Sequence, residues 1–184
     1  MQPEVLSGLI GFGGAVVGAG AAIVGTAIQQ NHAKKMAKAE READRQDTAF
    51  DTAVQAVFAA QDLFRRRWGG RPAGEGWEQK VISETDRLRL AMITIAQPEL
   101  RQRLKEVSEM LRYWEHLAPF GADDPDRHRA VQRVIDHMLD VFGAYRSGGA
   151  IPPRSKEYAE AKGNLDTWIE EMEDQEAREQ EGQR

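Results

Sequence analysis

Polar and apolar positions divide the chain into two regimes. The first is a run of 24 positions, Val5 to Ile28, without a single charge. As a helix it would measure about 36 Å, against a bilayer hydrocarbon core of about 30 Å, so it is expected to span a membrane with some tilt. The second regime begins near Thr48, where apolar residues recur at helical spacing and polar ones fill the gaps.

Five amphipathic patterns follow. The first carries Phe50, Ala53, Val54, Val57, Phe58, Leu63 and Phe64, and stops at Gly69-Gly70. Thr48 reads as its start, because a threonine hydroxyl can cap the backbone while Asp51 sits in the first turn. The second runs from about Glu75 to Ala96, with Trp77, Val81, Leu88, Met92 and Ile95 on one face. Pro98 opens the third, whose apolar positions Leu100, Leu104, Val107, Leu111 and Trp114 alternate four and three apart. Proline is favoured at such a first position because its missing N–H would be unpaired anyway. Asp124-Pro125 starts the fourth, with Val131, Val134, Ile135, Met138, Val141, Phe142 and Tyr145, ending at Gly148-Gly149. After Pro152-Pro153, Ser155 can cap the fifth, which carries Tyr158, Ala161, Leu165, Trp168, Ile169 and Met172 before the tail frays. No period-two alternation of useful length occurs. The expected fold class is all-α: an N-terminal transmembrane helix followed by a soluble antiparallel bundle of about five helices. The expected organisation is a short outer N-terminus (1–4), the span (5–28), a helical neck (29–46), the bundle (47–172) and an acidic tail (173–184). The neck has alanines but no broad apolar stripe, which suits a stalk rather than a core element.

Within the span, small residues gather on one side. Ser7, Gly8, Gly11, Gly14, Ala15, Gly18, Ala21, Ala22 and Gly25 share a face, and the large apolar residues occupy the other. Small residues let two helix backbones approach closely in lipid, where no hydrophobic drive brings helices together. Gly11, Gly14, Gly18, Ala21, Ala22 and Gly25 are therefore the expected self-association face. Met1 to Glu4 lacks a basic residue and the apolar run is longer than a cleaved leader's core, so a removed signal peptide is disfavoured. His32, Lys34, Lys35 and Lys38 follow the span before any acid, which places the body on the cytoplasmic side of the cell membrane and the N-terminus outside.

Charge changes the picture at the C-terminus. The chain's formal charge is -5. Glu170 to Arg184 holds seven acids and two bases and carries that whole sum, so the rest is neutral. A neutral body with an acidic tail is not the pattern of a nucleic-acid binder. There is no cysteine, which removes disulfides, thiol nucleophiles and thiolate metal sites.

No catalytic constellation is legible. There is no HExxH, no lysine-tipped phosphate loop and no Glu-x-x-His pair of the diiron kind. The Gly11-Phe-Gly13-Gly14 stretch lies inside the span, where a phosphate role is excluded by its setting. His116 beside Glu115, and Asp136-His137 with Asp140, are the nearest metal-like groupings. Asp136 and Asp140 share a face with Arg133 and read better as a solvated, ion-paired surface. No catalytic residue, metal ligand or cofactor is expected. For an enzyme, convergent polar residues on the core faces would be needed, and the sequence offers none. The most pointed surface feature is Arg65-Arg66-Arg67-Trp68 with Arg71 beyond the glycines. Cations at a helix C-terminus offset its dipole; the same set could also receive a lipid headgroup, a phosphate or an acidic partner. Trp77, Trp114 and Trp168 all fall on apolar stripes and are expected in the core.

The stretch Gly11-Phe-Gly-Gly-Ala-Val-Val-Gly18, followed by the neck Lys34-Lys-Met-Ala-Lys-Ala-Glu-Arg41, resembles the uncharacterised single-span membrane proteins of actinobacteria. The resemblance covers about the first 45 residues and implies a source and a topology, not an activity. The expected function is a membrane-anchored helical interaction module that contacts lipid, associates with itself through the span and meets a cytoplasmic protein. The alternative is a membrane-active effector, holin-like or defence-associated, and an enzyme ranks below both.

Overall fold

The computed structural model describes the backbone of residues 3–70 and 74–182, and the side chains of 29–70 and 74–181. These residues form α1 (Pro3–Trp68), α2 (Trp77–Thr94), α3 (Pro98–Arg112), a 3-10 turn η1 (Trp114–His116), α4 (Asp124–Arg146) and α5 (Lys156–Gly182), with no strand among them. The fold is an all-α bundle. Among the described residues no helix is long and apolar enough to cross a membrane; Val5 to Ile28, with its association face, lies outside the described side chains.

Two compact units divide at Arg45/Gln46. In the first, residues 29–45 are almost wholly exposed, Met36 included, and Glu42 and Arg45 lie 3.9 Å apart one helical turn from each other. The second unit holds the core.

The helix start expected at Thr48 is absent. α1 includes that position, and the Thr52 hydroxyl donates to the Thr48 carbonyl at 2.8 Å, an interior-helix pattern. The reason is composition: no glycine or proline occurs between Thr26 and Trp68, and alanine, glutamine, arginine, lysine and glutamate dominate. A cap residue does not stop a helix whose flanks both favour it. The same reasoning corrects the tail, which does not fray after Met172 but stays helical to Gly182. Gln175 donates to Glu179 one turn on, among good helix formers.

The other boundaries have local causes. The Asp123 carboxylate accepts from the Asp126 N–H at 2.9 Å and caps α4. Asp124 is then the first helical residue, with Pro125 in the first turn. Asp123→Ala is expected to cost about 1 kcal/mol in denaturant unfolding, with an unchanged denaturant slope. α4 closes where Gly148 turns left-handed (φ 70°) and the Gly149 N–H reaches back to the Ala144 carbonyl at 2.8 Å. Ser155 caps α5, its hydroxyl accepting from the Tyr158 N–H at 3.1 Å. Arg101 of α3 donates to the Ile95 and Ala96 carbonyls, both at 3.1 Å, which satisfies the end of α2.

The core is continuous from Phe50 and Phe64 of α1 to Tyr158 and Leu165 of α5. Every apolar position of the four-three row is buried, Leu100 to Leu111 on α3 and Trp114 on η1. Phe64 sits among the rings of Trp68, Trp77 and Trp114, with centroids 5.5, 5.9 and 5.8 Å away. α3 and α4 each bury eight residues, whereas α5 buries three, Tyr158, Ala161 and Leu165. α5 packs on α4, η1 and α3.

Candidate functional site: a buried charged node

α3 presents two rows to the interior. Beside the apolar row run Arg103, Glu106 and Met110, spaced three and four apart, so the same geometry that buries the leucines buries an arginine and a glutamate. Arg103 is 5% exposed, Glu106 3% and His137 of α4 7%. With Arg154 from the link before α5 and the fully buried Tyr158, they form one polar node inside the bundle.

Glu106 is its centre. It accepts from the Arg154 Nε at 3.0 Å and from the second Arg154 donor, from Gln102 at 2.9 Å, and from the Tyr158 hydroxyl at 3.3 Å. Arg103 lies 3.6 Å from the same carboxylate and donates instead to the Pro152 carbonyl at 3.3 Å. Burial alone pushes the Glu106 carboxyl up, but the hydrogen bonds from Arg154 and Gln102 and the charges of Arg154 and Arg103 outweigh it and hold it below the ordinary 4.5. Its contribution to stability is thus present above that value and lost as pH falls through the lowered one. Burial raises the Tyr158 phenol, and the Glu106 charge adds to this.

His137 is the odd member. Its ring centre lies 4.3 Å from that of Tyr158, and its Nε2 has no hydrogen-bond partner. The Nε and one terminal nitrogen of Arg103 likewise make no hydrogen bond, although that terminal nitrogen lies 3.6 Å from Glu106. Burial, then Arg103, lower the basicity of His137; Asp140 opposes this, Arg154 adds to it and Glu106 opposes it. Burial and the Arg103 charge thus favour the neutral imidazole.

The node overturns one sequence expectation. Convergent polar residues do lie on the core faces, and His137 is not part of the solvated Asp136–Asp140 surface: both acids are exposed while the histidine between them points inward. The signal was present. Val134 and Val141 place His137 on the buried stripe at three and four residues' spacing, and Arg103 and Glu106 flank the apolar row of α3. Among the described residues, no group of three or more histidines and acids is placed to hold a metal.

The arginine cluster is engaged at short range. Arg65 and Arg66 both reach Asp62, at 2.7 and 2.6 Å, and Arg67 reaches Asp124 at 3.4 Å while lying over the Trp77 ring. Those two hydrogen-bonded arginines hold the Asp62 carboxyl below its ordinary value. Arg71 lies outside the described residues. Trp114 is buried, and Trp77 and Trp168 pack against the core from its edge. Trp168 stacks on His116 at 3.8 Å and meets Tyr113 at 5.4 Å. Burial lowers the basicity of His116, Glu115 opposes this and Arg127 adds to it. An open hollow of about 610 Å³ beside this stack is lined by His116, Phe120, Arg127, Asn164, Trp168 and Glu171, among others.

No family model, no curated protein and no solved structure matches the chain.

Proposed function

We propose that the protein is a membrane-anchored helical interaction module. Val5 to Ile28 tethers it to the cell membrane as a single pass and self-associates through Gly11, Gly14, Gly18, Ala21, Ala22 and Gly25. The body lies in the cytoplasm and presents a helical surface to a protein partner. The observation that carries this reading is the charge pattern: 24 uncharged positions, then His32, Lys34, Lys35 and Lys38 before the first acid. The body adds indirect support. Its buried charges are tied to one another rather than turned toward an open cleft, while Leu90 and Ile93 of α2 stand about 70% exposed one turn apart. The arginine set Arg65, Arg66, Arg67 and Arg71 is the reading's candidate for an anionic partner.

Extraction of native membranes tests the tether. The full chain is expected to resist alkaline carbonate and to need detergent; release by carbonate overturns the anchor, the orientation and the span contact together. Crosslinking in the same membranes is expected to trap a homo-oligomer that is lost when Gly14 and Gly18 become leucine. Dye leakage on expression, abolished by the same pair of substitutions, would assign the protein to membrane-active effectors instead.

A further inference from the structure

α5 buries the fewest residues of the described α-helices, three against four on α2. It buries three residues where its neighbours α3 and α4 each bury eight, and helices with few buried apolar contacts open at the least cost. Its two aromatic anchors are placed unusually. Tyr158 lies against His137 of α4, and Trp168 lies stacked on His116 of η1. One titratable ring thus sits under each anchor, ten residues apart along the helix. Between them, Asn164 donates to the Leu117 carbonyl at 3.0 Å.

We infer that α5 is a proton-released helix: charging His137, with His116 acting in the same sense, detaches Lys156–Gly182 from the bundle while α3 and α4 stay packed. The geometry at His137 supplies the drive. A proton there would add a cation to an interior that already holds the Arg103 guanidinium, whose charge opposes it, and the two side chains are 93–95% closed to water. The acceptor that could compensate, Glu106, is committed to Arg154, Gln102 and Tyr158. The other charges facing the ring are Asp140 on its own helix and Arg154 on the link. Asp140 and Glu106 favour the charged ring, Arg103 and Arg154 oppose it, and burial decides the balance against it. At His116, Glu115 favours charging while Arg127 and burial oppose it, and Glu171 of α5 lines the same hollow.

The sign follows from linkage. Both histidines have basicities below the ordinary 6.5 in the packed state and regain it when α5 lifts and water enters. The attachment is therefore complete above 6.5 and weakens as pH falls below it. Glu106 is held below its ordinary 4.5, so the histidines act first as acid is added. Each pH unit by which a ring is held below its free value multiplies the opening constant about tenfold.

Amide hydrogen exchange on the full-length protein, corrected for intrinsic rates, tests this between about pH 7.5 and about pH 5, a range that histidine alone among these groups crosses. Exchange of 156–182 is expected to speed up at least about tenfold at the lower pH. The helices 98–112 and 124–146 are expected to keep their protection. In the double variant His116→Gln/His137→Gln, α5 is expected to stay protected at both values. A distance measurement avoids the risk that this variant misfolds. The chain has no cysteine, and Gly143 has open space around a Cβ, so spin labels at Gly143→Cys and Glu173→Cys report on otherwise wild-type protein. Their distance distribution is expected to lengthen and broaden at about pH 5, with a midpoint matching the protonation of His137 followed by its ring resonance. An unchanged distance or unchanged α5 exchange overturns the inference. So does loss of protection in α3 and α4 at the same pH, which would mean general acid unfolding, or an undiminished acid response in the folded double variant.

Discussion

Glu106→Gln is expected to lower the unfolding free energy by about 3 kcal/mol, because it leaves two buried or half-buried guanidinium groups without their shared counter-charge. The chemistry is asymmetric. A glutamine side chain keeps the shape and can still accept hydrogen bonds at its carbonyl oxygen, but it cannot offset the charge of Arg103, whose hydrogen bond goes to the neutral Pro152 carbonyl. Breaking a buried ion pair costs more than the pair is worth, since the survivor's desolvation is no longer compensated. Arg154→Ala is expected to cost less, about 1 kcal/mol, because the Arg154 side chain is 41% exposed and water replaces part of what is lost. Urea unfolding of the full chain followed by helical circular dichroism measures both. Equal costs for the two variants would contradict the view that the cost lies in stranding Arg103.

Phe64→Ala is expected to cost about 4 kcal/mol, the upper part of the range for emptying a large core site. Phe64 is buried against Trp68, Trp77 and Trp114, whose own contacts at 5.5 Å form a closed aromatic group. Three indole rings on three different elements cannot collapse into the gap without moving helix ends, so most of the cavity would remain. The fluorescence maximum is expected to shift to the red in the native state, as water reaches the buried Trp114 and more of the half-buried Trp68 and Trp77. A blue-shifted or unchanged spectrum together with a small loss of stability would show that the group repacks.

Much of the bundle was legible because its signals are redundant. The row Leu100, Leu104, Val107, Leu111 and Trp114 states both the helix and its buried face, and all five are buried. Gly148-Gly149 and Pro152-Pro153 mark breaks that no neighbouring preference can override. Thr48 failed for the opposite reason: a threonine hydroxyl offers a cap, but helix-favouring residues on both sides outbid it. The tail, expected to fray, stays helical for the same reason: glutamate, glutamine and arginine favour helix. The node escaped because each member is ordinary alone. Arg103, Glu106 and Arg154 belong to no motif, and His137 is grouped in sequence with Asp136 and Asp140. What joins them is the approach of α3, α4 and the link after residue 147, which no local spacing encodes. The polar positions worth marking in such a sequence are those that share an apolar row's spacing.

The Arg154–Glu106 contact also answers a problem of alignment along the helix axis. A helix held by Tyr158, Ala161 and Leu165 could slide by one turn, about 5.4 Å, and set Ala161 where Tyr158 now sits and Leu165 where Ala161 does. Ion pairs do not tolerate such slippage, so the clamp selects a single setting among near-equivalent ones. Exchanging Arg103, Glu106 and Arg154 together for apolar side chains is expected to leave overall stability equal or higher, yet to produce a second set of α5 amide resonances from a shifted copy of the same packing. Charge at the heart of this bundle would then act as a ruler rather than as glue.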